Sequence, residues 1–180
     1  MKEWLRRGGW VFLGIIIVGS ALVGGIYSIV AGGSNGQSNN YISCPSKQVG
    51  AQKPAKDGKY ESAKLVDFTP VKHVGYLQCW DLKVGSGATA TANSTITATY
   101  TGALASNGTI FQSSLDSGQP FTASLSSGVI AGWTAGIPGM KVGGSRRLLI
   151  PAQYAYGASS VAGIPPNSDL VFDITLLAVK

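Results

Sequence analysis

From residue 129 to residue 157 the chain reads Val-Ile-Ala-Gly-Trp, Gly-Met-Lys-Val-Gly, Arg-Arg-Leu-Leu-Ile-Pro and Tyr-Ala-Tyr-Gly, with no acid, thiol or histidine in the run. A helix-sized apolar segment over 129–137 stops at Pro138-Gly139, and a strand over 145–150 follows almost at once. One short helix must therefore lie on a sheet, with Trp133 on the helix and Tyr156 at a loop edge. A hollow built from such residues can hold an apolar group. It offers nothing that attacks a bond, moves a proton or binds a metal.

Other strands are read from period-2 alternation. Residues 76–84 are strand-like, and over 95–104 Ile96, Ala98 and Tyr100 share one face while Thr97, Thr99 and Thr101 share the other. Asn107-Gly108 signals a hairpin, because both residues tolerate positive φ, and 109–111 returns as its partner. Pro120-Phe121 opens a short strand and 169–179 is the last. The pattern predicts an α+β fold, an antiparallel half-barrel of five to six strands wrapped around one short helix. Residues 76–180 form this domain. Residues 44–75 form an N-terminal extension rich in Lys, Pro and Gly, with Leu65-Val-Asp-Phe and Val71 as candidates for an edge strand.

Residues 8–31 carry no charge, and Lys2, Arg6 and Arg7 precede them. A helix of that length spans the roughly 30 Å of a bilayer's hydrocarbon core. Basic residues before the span place the N-terminus in the cytoplasm. The expectation is a cytoplasmic tip and transmembrane anchor over 1–31, a flexible linker over 32–43, and an extracytoplasmic domain in a single-pass membrane protein. A cleaved signal peptide, which would leave the domain secreted, is the alternative. The net charge of +6 is scattered without a basic stripe, which argues against nucleic acid as a partner. Cys44 and Cys79 are the only cysteines. They are a candidate disulfide worth roughly 3–4 kcal/mol in the chain-entropy model, or else two free buried thiols. With His73 the sole histidine, no metal site is expected. Arg146 and Arg147 should point to opposite faces of their strand, in solvated ion pairs. No motif brings Asp116 and Asp173 together as a catalytic pair.

Leu77-Gln, Gly85-Ser-Gly, Tyr100-Thr-Gly, Phe111-Gln-Ser-Ser, Pro120-Phe121, Val129-Ile130-Ala-Gly-Trp133, Ala155-Tyr156-Gly, Gly163-Ile164-Pro-Pro and Leu170-Val-Phe172-Asp stand in one order over 77–180. In that order they resemble the FKBP family, the macrolide-binding peptidyl-prolyl cis–trans isomerases. The resemblance implies an apolar pocket in which Tyr100, Phe111, Gln112, Trp133, Tyr156 and Phe172 are the catalytic candidates. It makes Phe121, Val129, Ile130 and Ile164 the substrate-binding ones. Trp133 would be the floor under a proline ring, Tyr156 a donor to a ligand carbonyl, and Ile164 part of one rim. Proline-containing polypeptides are the implied substrates and macrolides the implied inhibitors, with no cofactor. Two positions depart from the family pattern. Gln112 stands where the family carries Asp, and the loop over 157–167 is one residue shorter. Gln112 favours a rival reading, a proline-peptide-binding chaperone or scaffold with weak or no turnover.

Overall fold

Two ten-residue strands, β2 (Thr95–Leu104) and β6 (Leu170–Val179), run antiparallel down the middle of the sheet because both alternate large apolar residues toward the same face. The computed structural model describes residues 42–161 and 163–180. The anchor expected over 1–31, and the linker as far as residue 41, lie outside the described residues. Among the described residues no helix is long and apolar enough to cross a membrane.

The remaining elements are β1 (Gln78–Lys83), β3 (Ile110–Ser113), α1 (Ser114–Ser117), β4 (Phe121–Ser124), α2 (Ala131–Gly136), β5 (Ser145–Ile150) and a 3-10 turn over Ala152–Tyr154. The six strands form one antiparallel sheet in the order β1-β5-β6-β2-β3, with β4 beside the first half of β2. The antiparallel six-stranded sheet with a short helix is as expected, with one helical turn, α1, beyond the single helix expected. The 107–108 turn differs from the two-residue hairpin. Only Gly108 takes positive φ, at 70°, and its N–H closes the loop on the Leu104 carbonyl at 2.7 Å. The Asn107 side chain instead accepts the Thr109 N–H at 2.7 Å, an Asx turn that holds Asn107 in its ordinary backbone region.

Packing divides at the sheet. On the inner face Ile96, Ala98, Leu148, Ile150, Phe172, Ile174 and Leu176 bury themselves against Trp133 of α2 and Ile137, the residue that caps it. On the outer face Leu149 and Val171 pack with Leu65 and Val74 of the extension, joined by Phe68, Val71 and Trp80. The extension is therefore a second layer. It reaches the sheet through isolated bridges, Ser46 with Asp81 and Lys64 with Thr109, and no edge strand forms over 65–71. Its short apolar stretch is used for side-chain burial instead. Cys44 and Cys79 are joined in a disulfide, Cα atoms 5.1 Å apart, which fastens the start of the extension to β1 on the inner-face side.

The two arginines of β5 do point to opposite faces, but neither is solvated. Arg146 is 4% exposed and Arg147 1%. Arg147 is bidentate to Asp173 at 2.6 and 2.8 Å and donates to the Asp67 and Val66 carbonyls at 2.8 and 2.9 Å. Burial is tolerated because carbonyls of the extension complete the guanidinium's hydrogen bonds.

Candidate functional site

Tyr100 occupies the point where β2 exchanges one neighbour for another. Residues 95–98 pair with β4 and residues 101–103 with β3, so the outward backbone groups of Tyr100 have no strand to bond. The two serines after Phe111-Gln112 fill the gap. Ser114 Oγ accepts the Tyr100 N–H at 2.9 Å, and Ser113 and Ser114 donate to the Tyr100 carbonyl at 3.2 and 3.3 Å. A backbone that would otherwise lose two hydrogen bonds is thereby held at the wall of the hollow.

Trp133 is brought to the floor by how closely α2 lies on β5. A Cβ built on Gly132 would come 2.5 Å from Ile150, and one on Gly136 2.7 Å from Leu148, so no other residue type permits that approach. The indole is 4% exposed. Around it stand Tyr100 (centroids 5.4 Å, planes 80°), Phe172 (5.5 Å, 88°) and Phe121 (5.9 Å, 82°), all edge-to-face. Phe111 leans on Phe172 at 5.8 Å, a contact opened by Gly102, whose Cβ would collide with both rings. Edge-to-face geometry presents positive ring edges to negative faces, which stabilises the cup beyond its area burial.

Val129 and Ile130 are half-buried and pack against the same core. Ile164, expected at the rim, is only 4% exposed and belongs to that core. The backbone bridge between Val161 and Ile164 turns Ile164 inward and leaves Val161, 37% exposed, as the apolar residue at the loop surface. Tyr156 is 36% exposed and Phe121 37%, so both sit where a ligand would enter. Gln112 is exposed and its side chain makes no hydrogen bond among the described residues. Asp116 and Asp173 are apart in role as well as sequence. Asp116 accepts the Tyr60 and Glu61 N–H groups, and Asp173 holds Arg147.

The electrostatics are those of an uncharged site. Residues 84–115, 117–140 and 148–168 contain no charged side chain, and they supply every lining residue except Phe172. Burial, and then the neighbouring Tyr156 phenol, raise the Tyr100 pKa above the usual 10.0, so this hydroxyl stays a neutral donor. A buried indole usually finds an acceptor, yet Trp133 Nε1 is buried with no partner among the described residues. The Tyr100 and Tyr156 hydroxyls likewise make no hydrogen bond there. An apolar cup with two phenol donors left open can desolvate a ligand and hold an acceptor on it. Among the described residues no His, Cys, Asp or Glu cluster could hold a metal.

The aromatic lining was legible in the motifs. The serine brackets on Tyr100, the exposed Val161 and the buried Arg146 were not. Only Ser113-Ser114 left a sequence trace, as part of the Phe111-Gln-Ser-Ser motif.

Comparison with known proteins places the same stretch in one family. The model of the "FKBP-type peptidyl-prolyl cis-trans isomerase" family matches residues 87–177. The FK506-binding protein of Neisseria meningitidis is 48% identical over 108 residues, 59% of this chain and 98% of that one. FK506-binding protein 4 of Neurospora crassa is 46% identical over 134 residues, 74% of this chain but 28% of that one, so the chain spans about a quarter of that protein. The crystal structure of FkpA from Escherichia coli superposes with a TM-score of 0.54 at 40% identity, covering 61% of this chain and 53% of that one.

Proposed function

The chain belongs to the FKBP-type peptidyl-prolyl cis–trans isomerase family, and from that premise we propose that it isomerises X-Pro bonds of exported polypeptides by desolvating them in the Trp133 cup. Rotation about a peptide bond costs about 18–20 kcal/mol because twisting breaks amide resonance. Before proline the two isomers are close in energy but exchange over tens to hundreds of seconds. The planar amide is more dipolar than the twisted one, so removal from water raises the ground state more than the transition state. Each 1.4 kcal/mol so gained is about tenfold in rate.

Carrying this reading is the coincidence of a floor indole 4% exposed, a lining without a charge, and donors without partners. The proline ring rests on Trp133 between Tyr100, Phe121 and Phe172, and Tyr156 donates to the carbonyl at the open side. Macrolides compete for the same cup. The Neisseria relative's name, FK506-binding protein, is in keeping with this. The uncharged run over 8–31 and the Cys44–Cys79 disulfide favour a single-pass membrane protein with this domain outside the cytoplasm.

Full-length protein added to a cis-enriched X-Pro peptide should speed its relaxation, and an excess of FK506 should abolish the effect. Peptide that binds while relaxing at the uncatalysed rate would instead establish the second reading, a proline-peptide chaperone or scaffold. That reading is favoured by Gln112, an exposed neutral amide with no hydrogen bond to orient the lining.

A further inference from the structure

A helix of six residues has almost no stability of its own, since nucleation is barely repaid by so few hydrogen bonds. The N-cap of α2 is Ile130, which supplies no side-chain acceptor. Two other contacts hold the helix. Thr134 Oγ1 donates to the Leu125 carbonyl at 2.9 Å, tying it to the end of β4. At the other end Arg146, from the inner face of β5, donates through Nη1 to the Gly136 carbonyl at 2.8 Å and to the Pro138 carbonyl at 3.3 Å. A cation at the carbonyl end of a helix is favoured by the helix dipole and satisfies groups the helix cannot.

Arg146 does not aim itself. Its Nε donates to Asp81 Oδ1 at 2.7 Å. The backbone of Asp81 is clamped in turn: its N–H donates to the Pro45 carbonyl at 2.9 Å and its carbonyl accepts the Lys47 N–H at 2.8 Å. The disulfide from Cys44 to Cys79 closes the same corner. The backbone that carries the carboxylate is therefore fixed, and the guanidinium the carboxylate directs reaches the end of the helix that carries Trp133.

We infer that Arg146, oriented by Asp81, is a positioning residue for the isomerase site, setting the depth of the Trp133 floor through the C-terminal carbonyls of α2. The inference rests on the reading of function above. Arg146 touches no substrate. A floor displaced by a fraction of an ångström weakens the grip on the proline ring, so the loss falls on KM more than on kcat.

The full-length protein is compared with Arg146→Met, Arg146→Lys, Asp81→Asn and Arg147→Met. Isomerisation kinetics on an X-Pro peptide and the Trp133 indole ¹H–¹⁵N resonance, assigned with Trp133→Phe, are the readouts. Arg146→Met should raise KM about tenfold with a smaller change in kcat and shift the indole resonance. Arg146→Lys, which keeps the charge, should recover part of both, and Asp81→Asn should move both less than Arg146→Met. Arg147→Met, equally buried but on the other face, should leave the resonance where it is. Should Arg146→Met fail to fold, Arg146→Lys and Asp81→Asn decide by the same readouts. Wild-type KM and an unmoved resonance in those folded variants overturn the inference, as does an equal shift in Arg147→Met. If the unsubstituted protein shows no isomerisation, the functional reading fails, while the resonance still decides whether Arg146 positions Trp133.

Discussion

Neighbouring residues of one strand close the two faces of the sheet, and they leave those faces in opposite states. Arg147 faces outward and ends on Asp173 and two extension carbonyls, above the Phe68 ring at 5.9 Å. Among the described residues, its layer of Leu65, Val74, Leu149 and Val171 leaves no buried side-chain nitrogen or oxygen without a partner. Arg146 faces inward and braces a helix whose tryptophan keeps a buried, unpartnered donor. An unmade buried hydrogen bond costs about 1–3 kcal/mol, and the inner face bears that cost at the floor of the cup. The outer layer is organised for stability, the inner one for binding.

The comparison can be broken most forcefully at Arg147. Arg147→Met leaves Asp173 and two carbonyls without their donor and should cost about 3–5 kcal/mol in urea unfolding, while the folded fraction binds an X-Pro peptide as before. Loss of affinity in proportion to stability would erase the distinction between the faces. Next in size, Cys44→Ala with Cys79→Ala should lower stability by about 2–4 kcal/mol, read from the same unfolding curves. On the inner face Trp133→Leu should reduce kcat/KM at least about tenfold by removing the floor, measured on protein whose near-ultraviolet dichroism shows it folded. Unchanged kcat/KM would move the site elsewhere.

The smallest effects concern the phenols. Tyr156→Phe removes one hydrogen bond at an exposed position and should weaken peptide binding only a few-fold, about 0.5–1.5 kcal/mol by calorimetry. The same change should bring the Tyr100 titration, followed by ¹³C-tyrosine resonances, back toward 10.0, since Tyr156 is the second cause of its rise after burial. A raised pKa means the fold favours the neutral phenol. That contribution is whole below pH 10 and fades as pH climbs from there through the folded value. Peptide affinity should accordingly stay flat from about pH 6 to 9.

Much of the sheet could be read from the chain because it is local. The alternation over Thr95–Leu104 and the run Ser145–Ile150 gave strands with the expected bounds. The helix over 129–137 shortened to Ala131–Gly136, since the carbonyl of Ile130 starts the helical bonding while its own backbone stays extended. The extension was harder. Residues 65–71 alternate too weakly to specify pairing, and whether they join a sheet or only cover one depends on Leu149 and Val171, far away in sequence. Ile164 and Arg146 were misplaced for one reason: solvation is set by what the rest of the fold lays on top of a residue.

Residue order alone determined the hydrophobic alternation, the aromatic roster of the cup and its freedom from charge, because side-chain chemistry and spacing are properties of the chain. The tertiary structure decided which donors would be left unpaired, that two adjacent arginines would both be buried, and that an irregular extension would become a second core. Hydrogen-bond satisfaction and burial are sums over neighbours distant in sequence, and those neighbours exist only once the chain has folded.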